Sequence, residues 1–229
     1  MGNGRIFEID LLRTIAITLM IIFHIVYDLN EFAGIDINYQ SGFWYWEGRI
    51  AALIFIFISG ISSGFSRDSF KRGVKVLGLG MGITIVTYIV IREQYIRFGI
   101  LHLLGTGMIL FPLLKRINNY ILLLLSGIFI LISAMFNDIL VNTSLLLPLG
   151  IMHSEFNTVD YYPIIPYLSA FIMGVIVYKI FYRNKQSFFK INYENRLVTK
   201  ISKNSLSIYL MHQPAIIGTI LLFRFLGGE

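Results

Sequence analysis

One apolar segment near the N-terminus carries side chains suited to acid–base chemistry. His24 and Asp28 are four residues apart, a spacing at which two side chains on one helix can meet. A carboxylate that accepts a hydrogen bond from an imidazole fixes its tautomer and raises its basicity, as a general base requires. We therefore predict that His24 is a catalytic base oriented by Asp28. The alternative is a buried polar pair that joins two helices.

Asp10 and Arg13 lie on the same helix face of this segment as His24 and Asp28. At 100° per residue, these two residues, His24 and Asp28 fall within a stripe of about 60°. The stripe extends about 27 Å along a helix, close to the thickness of a bilayer's hydrocarbon core. Ionisable side chains in a spanning helix usually face a cavity or a partner. One face of this segment is therefore predicted to line a polar path.

Two other histidines lie in apolar segments. His102 follows Gly99 near the start of one segment, and His212 precedes Pro214 in the last one. Ser205 shares a helix face with His212. The alternative for His102 is a purely structural role. The alternative for His212 is an interhelical hydrogen bond at a proline-associated bend.

The composition indicates what kind of protein positions these side chains. Of 229 residues, 56% are hydrophobic and 14% are charged, and the mean hydropathy is +0.72. Soluble domains have about 25% charged residues, so soluble enzyme folds are excluded, and so are disordered chains. Continuous apolar runs predict an all-α polytopic membrane helical bundle in a lipid bilayer. The absence of cysteine excludes disulfides, thiolate metal sites and cysteine nucleophiles.

Loop charges orient this bundle. At about 20 residues per span, seven spans are predicted, at residues 9–30, 49–66, 73–91, 98–115, 119–137, 162–182 and 204–225. Loops two, four and six are basic, whereas loops one and five are acidic. The positive-inside rule therefore places the N-terminus inside and the C-terminus outside. Besides the inner-loop residues named below, the charges counted include Glu31, Asp36, Glu47, Asp138, Glu155, Asp160, Arg183, Lys185, Lys190, Glu194, Arg196, Lys200 and Lys203.

The basic inner loops are also candidates for binding a phosphorylated cofactor. Lys71 and Arg72 lie in loop two, and Lys115 and Arg116 lie in loop four. Their charge would attract an anion, although membrane topology alone also explains them. The sequence has no P-loop and no dinucleotide-binding fingerprint. We expect no bound metal and no nucleic-acid partner.

Two glycine pairs favour close helix packing. Gly60 with Gly64, and Gly78 with Gly82, have the spacing of four that lets helix backbones approach each other. We interpret both pairs as ordinary packing positions.

Several stretches resemble a known family. Residues 5–13 (RIFEIDLLR), continuing to Phe23-His24 and Tyr27-Asp28, resemble the opening of the heparan-α-glucosaminide N-acetyltransferase-like family, particularly its short bacterial and archaeal members. The ten residues between Arg13 and His24 also match the arginine–histidine motif of the wider transmembrane acyltransferase superfamily. Residues 57–63 (FISGISS), 97–105 (RFGILHLLG) and 204–214 (NSLSIYLMHQP) are similar as well.

The resemblance implies acyl transfer across a membrane by a single domain over residues 1–229, in a multi-pass protein of the cell membrane. Acetyl-CoA would bind from the cytoplasm, and an amine or hydroxyl of a sugar or glycan acceptor would be modified outside. The oligomeric state stays open, with a homodimer as one alternative. His24 is the one catalytic residue carried over from the superfamily motif. The residues themselves predict Asp28 and His102 as further catalytic residues, and predict cofactor binding by Asp10, Arg13, Lys71, Arg72, Lys115, Arg116, Ser205 and His212.

Three alternatives remain beside the acyltransferase. A small proton-coupled transporter or channel would use the stripe as a proton or solute path, but the sequence lacks an obvious inverted repeat. A seven-helix receptor or retinal protein is the second alternative. A retinal protein would need a lysine in the middle of the last span, whereas Lys200 and Lys203 lie at its inner edge. A degenerate structural relative would bind no acetyl-CoA.

Overall fold

The computed structural model describes residues 6–136, 139–154, 156–189 and 195–227. Arg5 of the family-like opening lies outside these ranges, as do four residues of the charge count, Asp138, Glu155, Lys190 and Glu194. The described residues form eight α-helices and no strand. The helices are α1 (Phe7–Ala33), α2 (Gly42–Ser63), α3 (Ser69–Val90), α4 (Ile100–Leu114), α5 (Asn119–Phe136), α6 (Ile164–Val177), α7 (Arg196–Lys203) and α8 (Ser205–Gly227). The predicted polytopic helical bundle is confirmed.

Most of these helices can cross a bilayer. Six helical segments in the described chain are long and apolar enough: α1, α2, α3, α5, α8, and α6 together with a π-helical turn at Tyr178–Tyr182. The predicted span at 98–115 is α4, an apolar helix of 15 residues. Its length of about 22 Å falls short of a hydrocarbon core of about 30 Å. The sequence predicted seven spans. The described residues contain six helical segments long enough to cross a bilayer and one shorter apolar helix.

The chain groups into two compact units. Unit 1 comprises residues 1–55 and 187–229, and unit 2 comprises residues 56–186. The single domain over residues 1–229 stays a prediction, as do the inside and outside assignments of the termini.

In unit 1, α1 packs against α7 and α8. The glycine that ends α1, Gly34, has φ 68° and donates its N–H to the Leu29 carbonyl, a left-handed helix end that favours glycine. The first half of α2 joins this packing, because a Cβ on Gly48 would lie 2.6 Å from the Phe23 ring. Phe55 stacks on Tyr209 of α8, with ring centroids 6.3 Å apart.

In unit 2, α3 and α4 form a tight antiparallel hairpin. A Cβ on Gly73 would lie 2.7 Å from the Ile109 nitrogen, and a Cβ on Gly105 would lie 2.6 Å from the Leu77 nitrogen. Because the two backbones are this close, a residue larger than glycine at either position would push the helices apart. The same contact brings Gly80 against the ring of His102, so the hairpin fixes the position of that histidine.

The glycine pairs singled out in the sequence differ in their surroundings. Gly60 of α2 packs against α6, where an added Cβ would overlap the Phe171 carbonyl oxygen, and Gly64 packs against the Tyr178 ring. By contrast, a Cβ on Gly78 or Gly82 would meet nothing within 4 Å among the described residues. The packing interpretation therefore holds for the first pair and is wrong for the second, because α3 turns a different face to α4.

We expect Gly60→Ala to destabilise the protein by about 1–3 kcal/mol, since the new methyl group overlaps the Phe171 backbone. The matched control is Gly78→Ala, which adds a methyl group in open space and is expected to be neutral or to stabilise α3 by up to about 1 kcal/mol. Thermal unfolding of both detergent-purified variants checks this. Equal midpoints for the two variants would contradict the assigned helix contact.

Candidate active site

A pair of histidines from α1 and α8 forms the centre of the site in unit 1. The rings of His24 and His212 meet edge to face, with centroids 4.6 Å apart and planes at 80°. Nδ1 of His24 lies 2.8 Å from the Met20 carbonyl oxygen, and Nδ1 of His212 contacts the Tyr209 carbonyl oxygen. A carbonyl oxygen only accepts, so Nδ1 of each ring carries the proton. In each neutral ring, Nε2 is then the nitrogen with a lone pair.

Asp28 lies beside this pair and bonds to α8. Its side chain is fully buried, at 0% exposure, and it accepts a hydrogen bond of 2.8 Å from Nε2 of Gln213. The expected direct pairing of Asp28 with His24 is wrong. Spacing of four allows such a contact, but the His24 ring turns to the backbone carbonyl one turn earlier, and the Asp28 carboxylate turns to the neighbouring helix. Asp28 therefore holds the residue next to His212.

Three buried polar atoms at this pair have no hydrogen-bond partner among the described residues. They are Nε2 of His212, Oδ2 of Asp28 and Oε1 of Gln213. Buried polar groups are normally hydrogen-bonded, because leaving one unpaired costs free energy. Several such atoms beside two adjacent histidines are typical of a site that binds a polar substrate.

Glu47 of α2 adds a carboxylate that the sequence analysis placed in a loop. Its side chain is 7% exposed, and both carboxylate oxygens are buried without a partner in the described chain. The next residue, Gly48, packs on Phe23, which precedes His24. The predicted span began at residue 49, whereas the helix begins at Gly42. The aromatic run at residues 43–46 was the signal that the helix starts earlier.

At the other end of the stripe, a serine joins Asp10 and Arg13. The Ser202 hydroxyl donates to Oδ1 of Asp10 at 2.7 Å and accepts from Nη1 of Arg13 at 3.2 Å. Ser202 is buried in α7. Ser202 lies two residues before the family-like stretch at 204–214, so that motif did not point to it. The three side chains fix the guanidinium group about 16 Å along α1 from His24, at 1.5 Å per residue.

Ser205, which was predicted to share a face with His212, is half-buried at the start of α8. It lies about two helical turns before His212, or about 10 Å along the axis. Between them, the Tyr209 ring contacts His212 with centroids 5.4 Å apart. Ser205 therefore occupies the same helix as the histidine pair, toward the end where Ser202 lies.

His102 belongs to unit 2, where both of its ring nitrogens have partners. The side chain is 3% exposed; Nδ1 accepts from the Gly99 N–H at 3.2 Å, and Nε2 lies 3.2 Å from the Thr84 hydroxyl. Because Nδ1 accepts, Nε2 carries the proton and donates to Thr84. This arrangement ties the start of α4 to α3, and the catalytic role of His102 stays a prediction.

A carboxylate stabilises the same end of α4. Asp160 accepts a hydrogen bond of 3.0 Å from the Ile100 N–H, the kind of contact that satisfies a free donor at a helix start. Desolvation raises the pKa of Asp160 to about 6. Nearby in the same unit, Nη1 of Arg97 lies 2.7 Å from Nε2 of His153. These contacts hold the segment from which His102 projects.

The four basic residues predicted to attract a cofactor lie at the other end of the α3–α4 hairpin. Lys71 and Arg72 are in the first turn of α3, and Lys115 and Arg116 follow α4; all four are exposed. Lys71 forms an ion pair of 3.5 Å with Asp68, whose pKa is lowered by a hydrogen bond from the Lys71 backbone N–H. The antiparallel hairpin therefore gathers these charges into one basic surface.

The family comparison identifies the chain. A family model described as heparan-alpha-glucosaminide N-acetyltransferase, catalytic, matches residues 5–214. The chain belongs to this family. The match includes His24, His102 and the first part of α8, from Ser205 to Pro214. Searches of the curated proteins and of the solved structures found no match.

Family and fold together define a multi-pass membrane protein of an acetyltransferase family. The described residues contain no group of three or more His, Cys, Asp or Glu side chains that would hold a metal ion.

We expect His102→Leu to lower the unfolding midpoint, because it leaves the Gly99 N–H and the Thr84 hydroxyl without their partner. Each loss costs about 1–3 kcal/mol. Thermal unfolding of the purified protein measures the effect, with Thr84→Val as a matched variant that removes one of the two bonds. A His102→Leu protein with an unchanged midpoint but no activity would instead support a chemical role.

Proposed function

We propose that this protein is a membrane acyltransferase. It takes an acetyl group from acetyl-CoA on the cytoplasmic side and transfers it to an amine or hydroxyl of a sugar-like acceptor on the outer side. The observation that supports this most is the His24–His212 pair, in which Nδ1 of each ring faces a carbonyl oxygen and Nε2 of His212 is buried without a partner among the described residues. Membership of the acetyltransferase family supports the reaction class.

In the proposed reaction, Nε2 of His24 accepts the proton of the acceptor's amine or hydroxyl. The acceptor's nitrogen or oxygen forms a bond to the thioester carbonyl carbon, and the C–S bond then breaks. The thiolate takes the proton from His24, which gives free CoA and the neutral imidazole. In the variant mechanism, Nε2 itself attacks the thioester carbonyl carbon, the C–S bond breaks, and the leaving thiolate takes the Nδ1 proton to give free CoA. The acceptor then attacks the acyl carbon, the C–N bond to the histidine breaks, and the acceptor's proton returns to the imidazole.

The remaining residues of unit 1 position the reactants. Gln213, held by Asp28, fixes the register of His212 against α1. Arg13, held by Asp10 and Ser202, binds the polar groups or the phosphate of the pantetheine arm. Glu47 offers two buried oxygens to donors on the acceptor.

The four basic residues of unit 2 act at longer range in this proposal. Lys71, Arg72, Lys115 and Arg116 are exposed, and exposed charges in salt solution attract ligands without holding them in one geometry. They would raise the local concentration of an anionic donor.

A proton-coupled transporter or channel remains the competing function. The observation that favours it is the series of polar groups along α1, from Arg13 through His24 to Asp28, each near a polar group of α7 or α8. Such a series can relay protons. Turnover of the thioester by the purified protein separates the two functions, because a transporter leaves acetyl-CoA intact.

We expect His24→Ala to lower acetyl transfer by about 10²–10⁴-fold, the usual contribution of a general base. The variant should stay folded and membrane-inserted, because the His24 ring donates only to a carbonyl in its own helix. Release of free CoA thiol in the presence of sugar amines measures transfer. His153→Ala is the matched control, since this histidine lies outside the helices. Full activity of His24→Ala would contradict the mechanism.

We expect Arg13→Ala to weaken acetyl-CoA binding by roughly 10–100-fold, because a charge-assisted contact contributes about 1.5–3 kcal/mol. Calorimetry on the detergent-purified protein measures the dissociation constant, and Arg92→Ala, an exposed arginine in the loop after α3, is the control. If a folded wild-type protein does not bind acetyl-CoA even at millimolar concentration, the transporter function or another acyl donor becomes the better explanation.

A further inference from the structure

Helix α7 forms one wall of a cationic groove that the sequence analysis did not assign. The groove belongs to unit 1 and has a volume of about 460 Å³. Its lining residues are Arg196, Thr199, Lys200, Lys203 and Asn204. The first four recur at intervals of three or four along the helix, so they occupy one face.

The opposite face of α7 is held on α1. The Thr14 hydroxyl donates to the Val198 carbonyl oxygen at 3.2 Å, and Ser202 bonds to both Asp10 and Arg13. The helix start is capped as well, because the Asn195 side chain accepts from two backbone N–H groups of the first turn. The groove is therefore built on a helix with a fixed orientation, and its basic residues are the ones that α1 does not use.

The lining suits a multiply charged anion. It carries three positive charges and a hydroxyl, and the Asn204 amide is ordered by a hydrogen bond of 2.8 Å to the Lys200 carbonyl oxygen. No acidic side chain lines the groove within the described ranges. A guanidinium group binds phosphate through two parallel hydrogen bonds, and ammonium groups add point charges. The volume falls in the range of small-molecule sites.

We propose that this groove binds the phosphates at the nucleotide end of the CoA donor, an inference that rests on the proposed function. Lys203 directly follows Ser202, which contacts Arg13, so the groove lies at the end of α1 where the arginine is fixed. An anchored nucleotide would leave the pantetheine arm to pass Arg13 and extend along α1 toward His24, about 16 Å further. In this proposal the groove fixes the phosphates of CoA in one place, whereas the exposed charges of unit 2 only attract them.

The test measures binding, not turnover. Adenosine 3′,5′-bisphosphate and CoA are titrated calorimetrically into the full-length protein in phosphatidylcholine nanodiscs. We expect the triple variant R196Q/K200Q/K203Q to bind both probes about 100-fold more weakly than wild type, since it loses several charge-assisted contacts. The charge-conserving variant R196K/K200R/K203R should retain binding within about tenfold, which separates loss of the site from failure to fold.

A charge-matched control, R67Q/R92Q/K185Q, removes three exposed positive charges outside the groove and should leave both dissociation constants unchanged. Equal weakening by both glutamine triples would overturn the proposal, because the effect would then follow net charge.

Competition by phosphatidylglycerol in the nanodisc, with no nucleotide binding in its absence, would assign the groove to lipid headgroups. If wild type and R196Q/K200Q/K203Q bind CoA equally, the groove assignment fails and the proposed function stands. If wild type binds neither probe, both fail.

Discussion

The polar groups of α1 must find partners inside an apolar bundle, and this constraint organises unit 1. A buried charged or polar group without a partner is costly where water is excluded. α7 and α8 supply the partners in sequence order: Ser202 for Arg13, then His212 beside His24, then Gln213 for Asp28. Residue numbers rise in the same order along α1 and along α7 and α8, so α1 and α8 run parallel. The polar stripe therefore sets both the direction and the register of these helices.

The pairing along this stripe is incomplete in one region. Arg13 and Asp10 share Ser202, yet around the histidines three buried nitrogen and oxygen atoms, on Asp28, His212 and Gln213, have no hydrogen-bond partner in the part of the chain that the structure describes. A purely structural network would be expected to satisfy its buried members, since a half-satisfied network is less stable than an apolar core. Proteins tolerate such local violations mainly at functional sites. The location of the unpaired atoms thus favours the histidine pair as the place where substrate binds.

The histidines show how one residue type takes different roles in apolar helices. His102 uses both ring nitrogens within unit 2, one toward Gly99 and one toward Thr84. Among the described residues, His24 and His212 each form a hydrogen bond through Nδ1, and each bonds to a carbonyl of its own helix. These histidines thus differ in how many ring nitrogens have a hydrogen-bond partner. A neutral ring with an unpaired Nε2 can accept a proton there, whereas a ring bonded through both nitrogens links two helices.

The sequence by itself determined the membrane class, six of the spans, the alignment of Asp10, Arg13, His24 and Asp28 on one helix face, and the family. Hydropathy and a period of 3.6 residues depend only on local order along the chain, which is why these predictions were accurate. Only the tertiary structure decided the pairings. Asp28 bonds to Gln213, Ser202 links Asp10 to Arg13, and Glu47 is buried in a helix. Spacing specifies which side chains can meet on one helix, but the neighbouring helix, distant in sequence, determines which atoms are hydrogen-bonded and which stay available for chemistry.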